Sequence, residues 1–221
     1  MLAEKLISDS LTSVKSTDKG KKALNAMDVY RVSHIPVVNG SEYLGLVSDK
    51  IIYDLNLLEV PIETQLDKLN TSHVHHDQHI FEIAILMYKL KLSVLAVLGP
   101  EHQYLGAITL YDLARRFAKL FSLEETGGVI ILETNALNYS LSEISRIVEG
   151  NGIKILSSFM DKKPGTNILD VILKLDKVEL SSLIQSFMRY DYNVKAVYLD
   201  QSELGDLYKD RFDLFMKFMN I

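Results

Sequence analysis

The chain reads as an α+β protein in which one small mixed unit occurs twice and a different unit follows. Three observations lead there. A motif recurs with a period of about 60 residues, apolar residues at helical spacing alternate with short apolar runs inside each copy, and the pattern changes after residue 128. Composition agrees with a folded chain: of 221 residues, 48% are hydrophobic and 24% charged, close to the globular average.

The repeat is carried by Tyr43-Leu44-Gly45-Leu46-Val47-Ser48, which returns as Tyr104-Leu105-Gly106-Ala107-Ile108-Thr109. Tyr53-Asp54-Leu55 follows the first copy and Tyr111-Asp112-Leu113 the second. Upstream, Val14 matches Val74, Met27 matches Met87, and Ile35 to Val38 matches Leu95 to Leu98. Such a period suits a duplicated small domain better than a solenoid.

Each copy has the same order of elements. In the first, Asp18 is placed to cap a helix whose buried stripe is Ala23, Met27 and Tyr30. In the second, Asp77 precedes a helix with Ile80, Ile83, Ala84, Met87 and Leu90 on one face. A short apolar run comes next, then a polar turn, then a second run. Asn39-Gly40 is a tight hairpin signal, since both residues tolerate the positive φ of a type I′ turn. A helix after Ser48 or Thr109 closes the unit, so each copy is predicted as βαββα.

These residues resemble the CBS domain family, whose members occur as tandem pairs packed pseudo-symmetrically. The resemblance covers roughly residues 1–121, with repeats over 1–60 and 61–121. Gly106-Ala107-Ile108-Thr109-Leu110-Tyr111-Asp112 fits the family's Gly-h-h-Ser/Thr-x-x-Asp signature throughout. Gly45-Leu46-Val47-Ser48-Asp49-Lys50-Ile51 fits as far as the serine. His34-Ile35-Pro36-Val37-Val38 is similar to the family's strand entrance, where the second copy has Ala96 in place of proline.

Residues 122–128, Ser-Leu-Glu-Glu-Thr-Gly-Gly, read as a linker. Beyond it, the run at Val129–Glu133 is followed by a helical stripe of Leu141, Ile144, Ile147 and Val148, then a run at Ile153–Phe159. Pro164-Gly165 turns into the run Ile168–Leu175; Leu180, Leu183, Ile184, Phe187 and Met188 form another stripe, and Val194–Leu199 is the last run. This is βαββαβ, the ferredoxin-like arrangement, in which four antiparallel strands carry both helices on one face. Over residues 129–200 it resembles the ACT domain family. Where amino-acid-binding members carry a glycine after the first strand, this chain has Tyr139, which would obstruct close approach of a ligand to the backbone. Residues 201–221 are predicted as an amphipathic helix with Leu204, Leu207, Tyr208, Phe212, Phe215 and Met219 on its apolar side.

Thr109 and Asp112 form the sharpest candidate pair. At a helix start, three residues apart, hydroxyl and carboxylate share one face with the first-turn amides. The carboxylate suits a ribose diol, and the hydroxyl with the helix N-terminus suits a phosphate. The same spacing also describes an ordinary N-cap with its capping box. By the CBS resemblance, adenine would be held around the entrance strands: His34, Ile35 and Pro36 in one cleft with Ser48 at its helix head, and Val94, Leu95 and Ala96 in the other. Ile51 stands where the first copy would need the ribose-binding carboxylate, so one site per chain is expected.

Other chemistries find little. The absence of cysteine removes thiolate metal sites, disulfides and thiol nucleophiles. His73, His75, His76 and His79 are dense, but their spacing is poor for a metal, and none is expected. No Walker loop, nucleophile elbow, zinc-protease motif or dinucleotide fingerprint occurs. Net charge is −5 and evenly spread, with 13 basic and 16 acidic residues in 1–125 and 11 and 13 in the rest. That balance excludes a basic nucleic-acid surface, and no apolar stretch approaches a membrane span. The expectation is a cytoplasmic, non-enzymatic regulatory protein without a required cofactor. Its expected ligand is AMP, ADP, ATP or S-adenosylmethionine. The family resemblance implies a homodimer, and an unknown protein target is an open possibility. A ligand-free dimerisation scaffold is the main alternative, and a histidine-dependent metalloenzyme a remote one.

Overall fold

The computed structural model describes residues 1–199, so the tail predicted as a helix over 201–221 lies outside the described residues. The chain divides into two compact units, one of residues 1–117 and one beginning at Ala118.

The first unit holds the duplication. Its first repeat runs β1 (Val14–Lys15), α1 (Gly20–Tyr30), β2 (His34–Asn39), β3 (Glu42–Ser48) and α2 (Asp49–Asp54). The second runs β4 (His73–His75), α3 (Ile80–Leu90), β5 (Val94–Leu98), β6 (Tyr104–Thr109) and α4 (Leu110–Leu120). Each repeat makes a three-stranded sheet, β1-β2-β3 or β4-β5-β6, in which the outer short strand is parallel and the hairpin antiparallel. Registers repeat as well: His34 lies opposite Ser48 and Val94 opposite Thr109, with a bulge after Val37 and after Val97. Even the helix ends agree, since Arg31 and Lys91 both take the left-handed conformation that stops α1 and α3.

Two local expectations are corrected. Lys19, not Asp18, is the N-cap of α1 and has no side-chain cap bond. Asp18 sits one residue earlier because its carboxylate is already committed: it accepts the Lys15 amide at 2.9 Å and pairs with Lys22 at 2.8 Å. The hairpin loop is Gly40-Ser41, between the paired Asn39 and Glu42, and of these residues only Gly40 has a positive φ. That is the type II′ pattern rather than I′, because β2 keeps Asn39 in its ladder. At α3, His79 caps the helix and forms a capping box with Glu82.

Sequence gives no hint of how the leading segments pack. The 3-10 turn at Ala3–Leu6 belongs to the first repeat by order, yet it docks on the second. Ala3 donates to the Gln78 carbonyl, Glu4 to His76 and Ser8 to Ala107. Reciprocally, the segment from Ile62 docks on the first repeat: Ile62 donates to Asp18, Glu63 to Ser16, and Leu46 and Asn70 exchange amide bonds of 2.7 and 3.1 Å. The repeats thus trade leaders across a pseudo-twofold. This exchange explains the glycine of the repeated motif. A Cβ at Gly45 (φ +146°) would lie 2.7 Å from Leu69 Cβ, and one at Gly106 (φ +153°) 2.4 Å from Ile7 Cγ2.

The second unit runs β7 (Val129–Asn135), α5 (Leu141–Gly150), β8 (Ile155–Lys162), β9 (Ile168–Leu175), α6 (Ser181–Arg189) and β10 (Asn193–Tyr198). Its antiparallel sheet has the order β10-β7-β9-β8, the ferredoxin-like topology. Ile130, Leu132, Val171 and Leu173 face Ile144, Val148, Leu183 and Phe187 to form its core. In the loop before α5, Asn135 accepts the Leu137 amide and Ser140 caps the helix through Glu143. Tyr139 packs on this core, so the turn is completed by side chains and needs no glycine.

Candidate functional site

In each repeat a strand runs directly into a helix, which places a hydroxyl at the corner. Ser48 accepts the Ile51 amide at 3.2 Å, a simple N-cap for α2. Thr109 does more. It accepts the Asp112 amide at 3.0 Å and donates its hydroxyl proton to Asp112 Oδ2 at 2.6 Å. The pair is therefore a self-satisfied corner, with Thr109 only 7% exposed and Asp112 partly exposed. A diol bound to Asp112 would use the carboxylate edge that Thr109 leaves free, or would take the place of the threonine hydroxyl.

The sheet registers bring the remaining candidates into two groups. His34 neighbours Ser48, followed along β2 by Ile35 and Pro36. Val94 neighbours Thr109, followed along β5 by Leu95 and Ala96. The side chains of Ile35, Val94, Leu95 and Ala96 are wholly buried, so these residues present main chain, not side chain, to anything at the corner. Position 51 is an isoleucine packed on the first repeat's core, and the first corner lacks a carboxylate at that place.

Sequence reasoning missed a cross-link between the groups. Ser93 Oγ accepts the Ser33 amide at 2.9 Å and lies 3.0 Å from His34 Nδ1. Burial pushes the His34 imidazole pKa below its ordinary value, against the Asp49 carboxylate, which raises it. Tyr43 and Tyr104 were also overlooked. They stack with ring centroids 6.2 Å apart, and burial raises both phenol pKa values. Ser33 matches Ser93 and Tyr43 matches Tyr104 in the duplication, and that coincidence was the available signal.

The histidines do not assemble a site. His73 and His75 stand on β4, His79 caps α3, and His76 lies 3.9 Å from Glu4. Among the described residues no three His, Asp or Glu side chains converge as a metal centre. No helix among them is long and apolar enough to cross a membrane.

Residues 3–55 and 70–119 match the CBS domain model. The first unit is a CBS domain pair. Inosine-5'-monophosphate dehydrogenase of Methanocaldococcus jannaschii is 26% identical over 117 residues, 52% of this chain and 23% of that enzyme. The chain thus spans under a quarter of that curated relative, and the match falls on the CBS pair. Among solved structures, a CBS domain pair/ACT domain protein from Thermotoga maritima covers 54% of this chain and 98% of its own, at 20% identity and a TM-score of 0.48. The CBS domains of a Streptococcus pneumoniae transcriptional regulator cover 52% and 98%, at 21% identity and 0.45. CBSX2 in complex with AMP covers 53% and 96%, at 18% identity and 0.45.

Proposed function

We propose that this chain is a non-enzymatic regulatory protein whose CBS pair binds an adenosyl ligand at the second corner and passes occupancy to the second unit. The observation that supports it most is the Thr109-Asp112 corner, which combines a carboxylate, a hydroxyl and a helix head within one turn. Asp112 would take the ribose diol, and Thr109 with the α4 amides the phosphate. Val94, Leu95 and Ala96 would meet the base through main chain. His34, Ile35, Pro36 and Ser48 would form a weaker first cleft that lacks the carboxylate. AMP, ADP, ATP and S-adenosylmethionine are the ligands to try. Ligand would act by preferring one arrangement of the repeats, a population shift. The second unit is ACT-like in topology, and its Tyr139 turn argues for relaying a signal over binding an amino acid.

Exposed apolar side chains on the CBS helices, among them Phe81, Ile85 and Tyr88 of α3 and Tyr111 of α4, support association as a homodimer. Calorimetric titration with the four ligands, on wild type and Asp112→Ala, tests the reading. Binding lost in the variant supports it; no binding, or equal binding in both, overturns the site.

A second reading, a ligand-free dimerisation scaffold, is favoured by the closed Thr109-Asp112 bond and by Ile51. It predicts a constant dimer whose melting temperature no nucleotide raises, whereas a ligand that binds only the folded state must raise it.

A further inference from the structure

The junction of the two repeats carries a titratable side chain, His34, to which the nucleotide reading gives only a place in the weaker first cleft. Ser33 and Ser93 hold the same place in the duplication, immediately before β2 and β5. The main-chain carbonyl of each accepts the first amide of the helix beyond: Asp49 donates to Ser33 at 3.3 Å and Leu110 to Ser93 at 2.9 Å. Symmetry breaks at the side chains. Ser93 Oγ accepts the Ser33 amide at 2.9 Å, and both the Ser93 hydroxyl, at 3.0 Å, and the Ser93 amide, at 3.4 Å, address His34 Nδ1. The second repeat has Val94 at the equivalent place, with no imidazole to answer Ser33.

The Ser93 amide, a donor of fixed sense, aims at the ring nitrogen and defines its state, and the hydroxyl beside it can donate or accept. Nδ1 must be the acceptor, so the neutral ring carries its proton on Nε2. Protonation would put an N–H on Nδ1 facing the Ser93 amide, whose bond is lost, while the Ser93 hydroxyl turns and accepts the new proton. We propose that His34 and Ser93 form a proton-sensitive link between the repeats, closed at the Ser93 amide while the imidazole is neutral and opened there when it is charged. Because Ser93 also holds the first amide of α4, opening loosens the strand-to-helix corner that carries Thr109 and Asp112. Burial favours the neutral ring, and Asp49, the charged group that acts on it, opposes this. The sign follows: the link is complete above the ordinary pH 6.5 of imidazole and is lost as pH falls through the lower value of the folded protein.

The link needs no ligand, and only its effect on affinity rests on the nucleotide reading. The test is amide hydrogen exchange on the full, ligand-free chain at pH 8 and pH 5, corrected for intrinsic rates. Wild type should lose protection about tenfold at the Ser93 and Leu110 amides on acidification, the worth of about one hydrogen bond, while the Ser33 amide, bonded to the hydroxyl oxygen, stays protected. His34→Asn places an oxygen near the site of Nδ1 that does not titrate, and should keep protection at both pH values. Nitrogen chemical shifts of the wild-type His34 ring give a second reading that requires no variant: an unprotonated Nδ1 at pH 8, lost with a midpoint below 6.5. Protection unchanged with pH, a loss that persists in His34→Asn, or a proton on Nδ1 at pH 8 overturns the link. With AMP present, acid should weaken binding to wild type more than to the variant. Failure of AMP to bind at either pH counts against the nucleotide reading, while the exchange profile still decides the link.

Discussion

Replacing Gly106 by alanine puts the exchange of leading segments to a quantitative test. The new Cβ would stand 2.4 Å from Ile7 Cγ2, on a backbone at φ +153°. The unfavourable backbone costs about 1–3 kcal/mol, and forcing a methyl into an occupied space costs about 1–3 kcal/mol more. At about 4 °C per kcal/mol for a unit of this size, the melting transition of the CBS pair should fall by about 8 °C or more. Gly40→Ala is the control, because Gly40 has a positive φ of +61° and nothing within 4 Å of its added Cβ. It should cost about 1 kcal/mol from backbone alone. Adding Ile7→Ala to Gly106→Ala removes the clashing branch and should return part of the loss. Circular dichroism melts give the magnitudes, and hydrogen exchange at the Ser8 amide, which donates to Ala107, locates the damage. If Gly106→Ala costs no more than Gly40→Ala, or Ile7→Ala restores nothing, the account of that glycine is wrong.

Two other outcomes follow from the hydrogen bonds. Thr109→Ala removes both the cap of α4 and the donor to Asp112 and should cost about 2 kcal/mol, against about 1 for Ser48→Ala, with Thr109→Ser close to wild type in a denaturant titration. In the second unit, burial and the bond to Glu143 push the Tyr192 phenol up to about 12. Its share of stability is complete below the ordinary phenol value of 10.0 and is lost as pH rises toward 12. Ultraviolet titration of wild type against Tyr192→Phe should show that late phenol, and its absence would remove the Glu143 bond from the account.

Much of this architecture was readable from local pattern. The duplicated Tyr-Leu-Gly motif, the helical stripes and the alternation after residue 128 all report which face of an element is buried, and burial is what periodicity measures. Caps and turns were read less well. Asp18 and Asn39 have the right chemistry for the jobs assigned to them, but Asp18 is engaged by Lys15 and Lys22 and Asn39 by Glu42 across the hairpin, so each job moves on by one residue, a shift invisible to composition. The corner at Thr109 was legible because its two partners are three residues apart. The link from His34 to Ser93 was not, since it joins residues 59 apart across the pseudo-twofold, where the period shows likeness but not contact. The leaders escaped for the same reason: nothing in Ala3–Ser8 names Gln78 or Ala107 as its partner.

That trade of leaders also sets an order of events for a chain made from its N-terminus. The first repeat is completed only when the segment around Ile62 to Asn70 has emerged, and Ser8 must wait for Ala107, almost the whole of the CBS pair later. Closing so long a loop is entropically costly before it is rewarded. Neither repeat can therefore act as a finished folding unit for the other. A cut between them leaves two incomplete halves, and damage to the first eight residues is felt in the last strand of the pair.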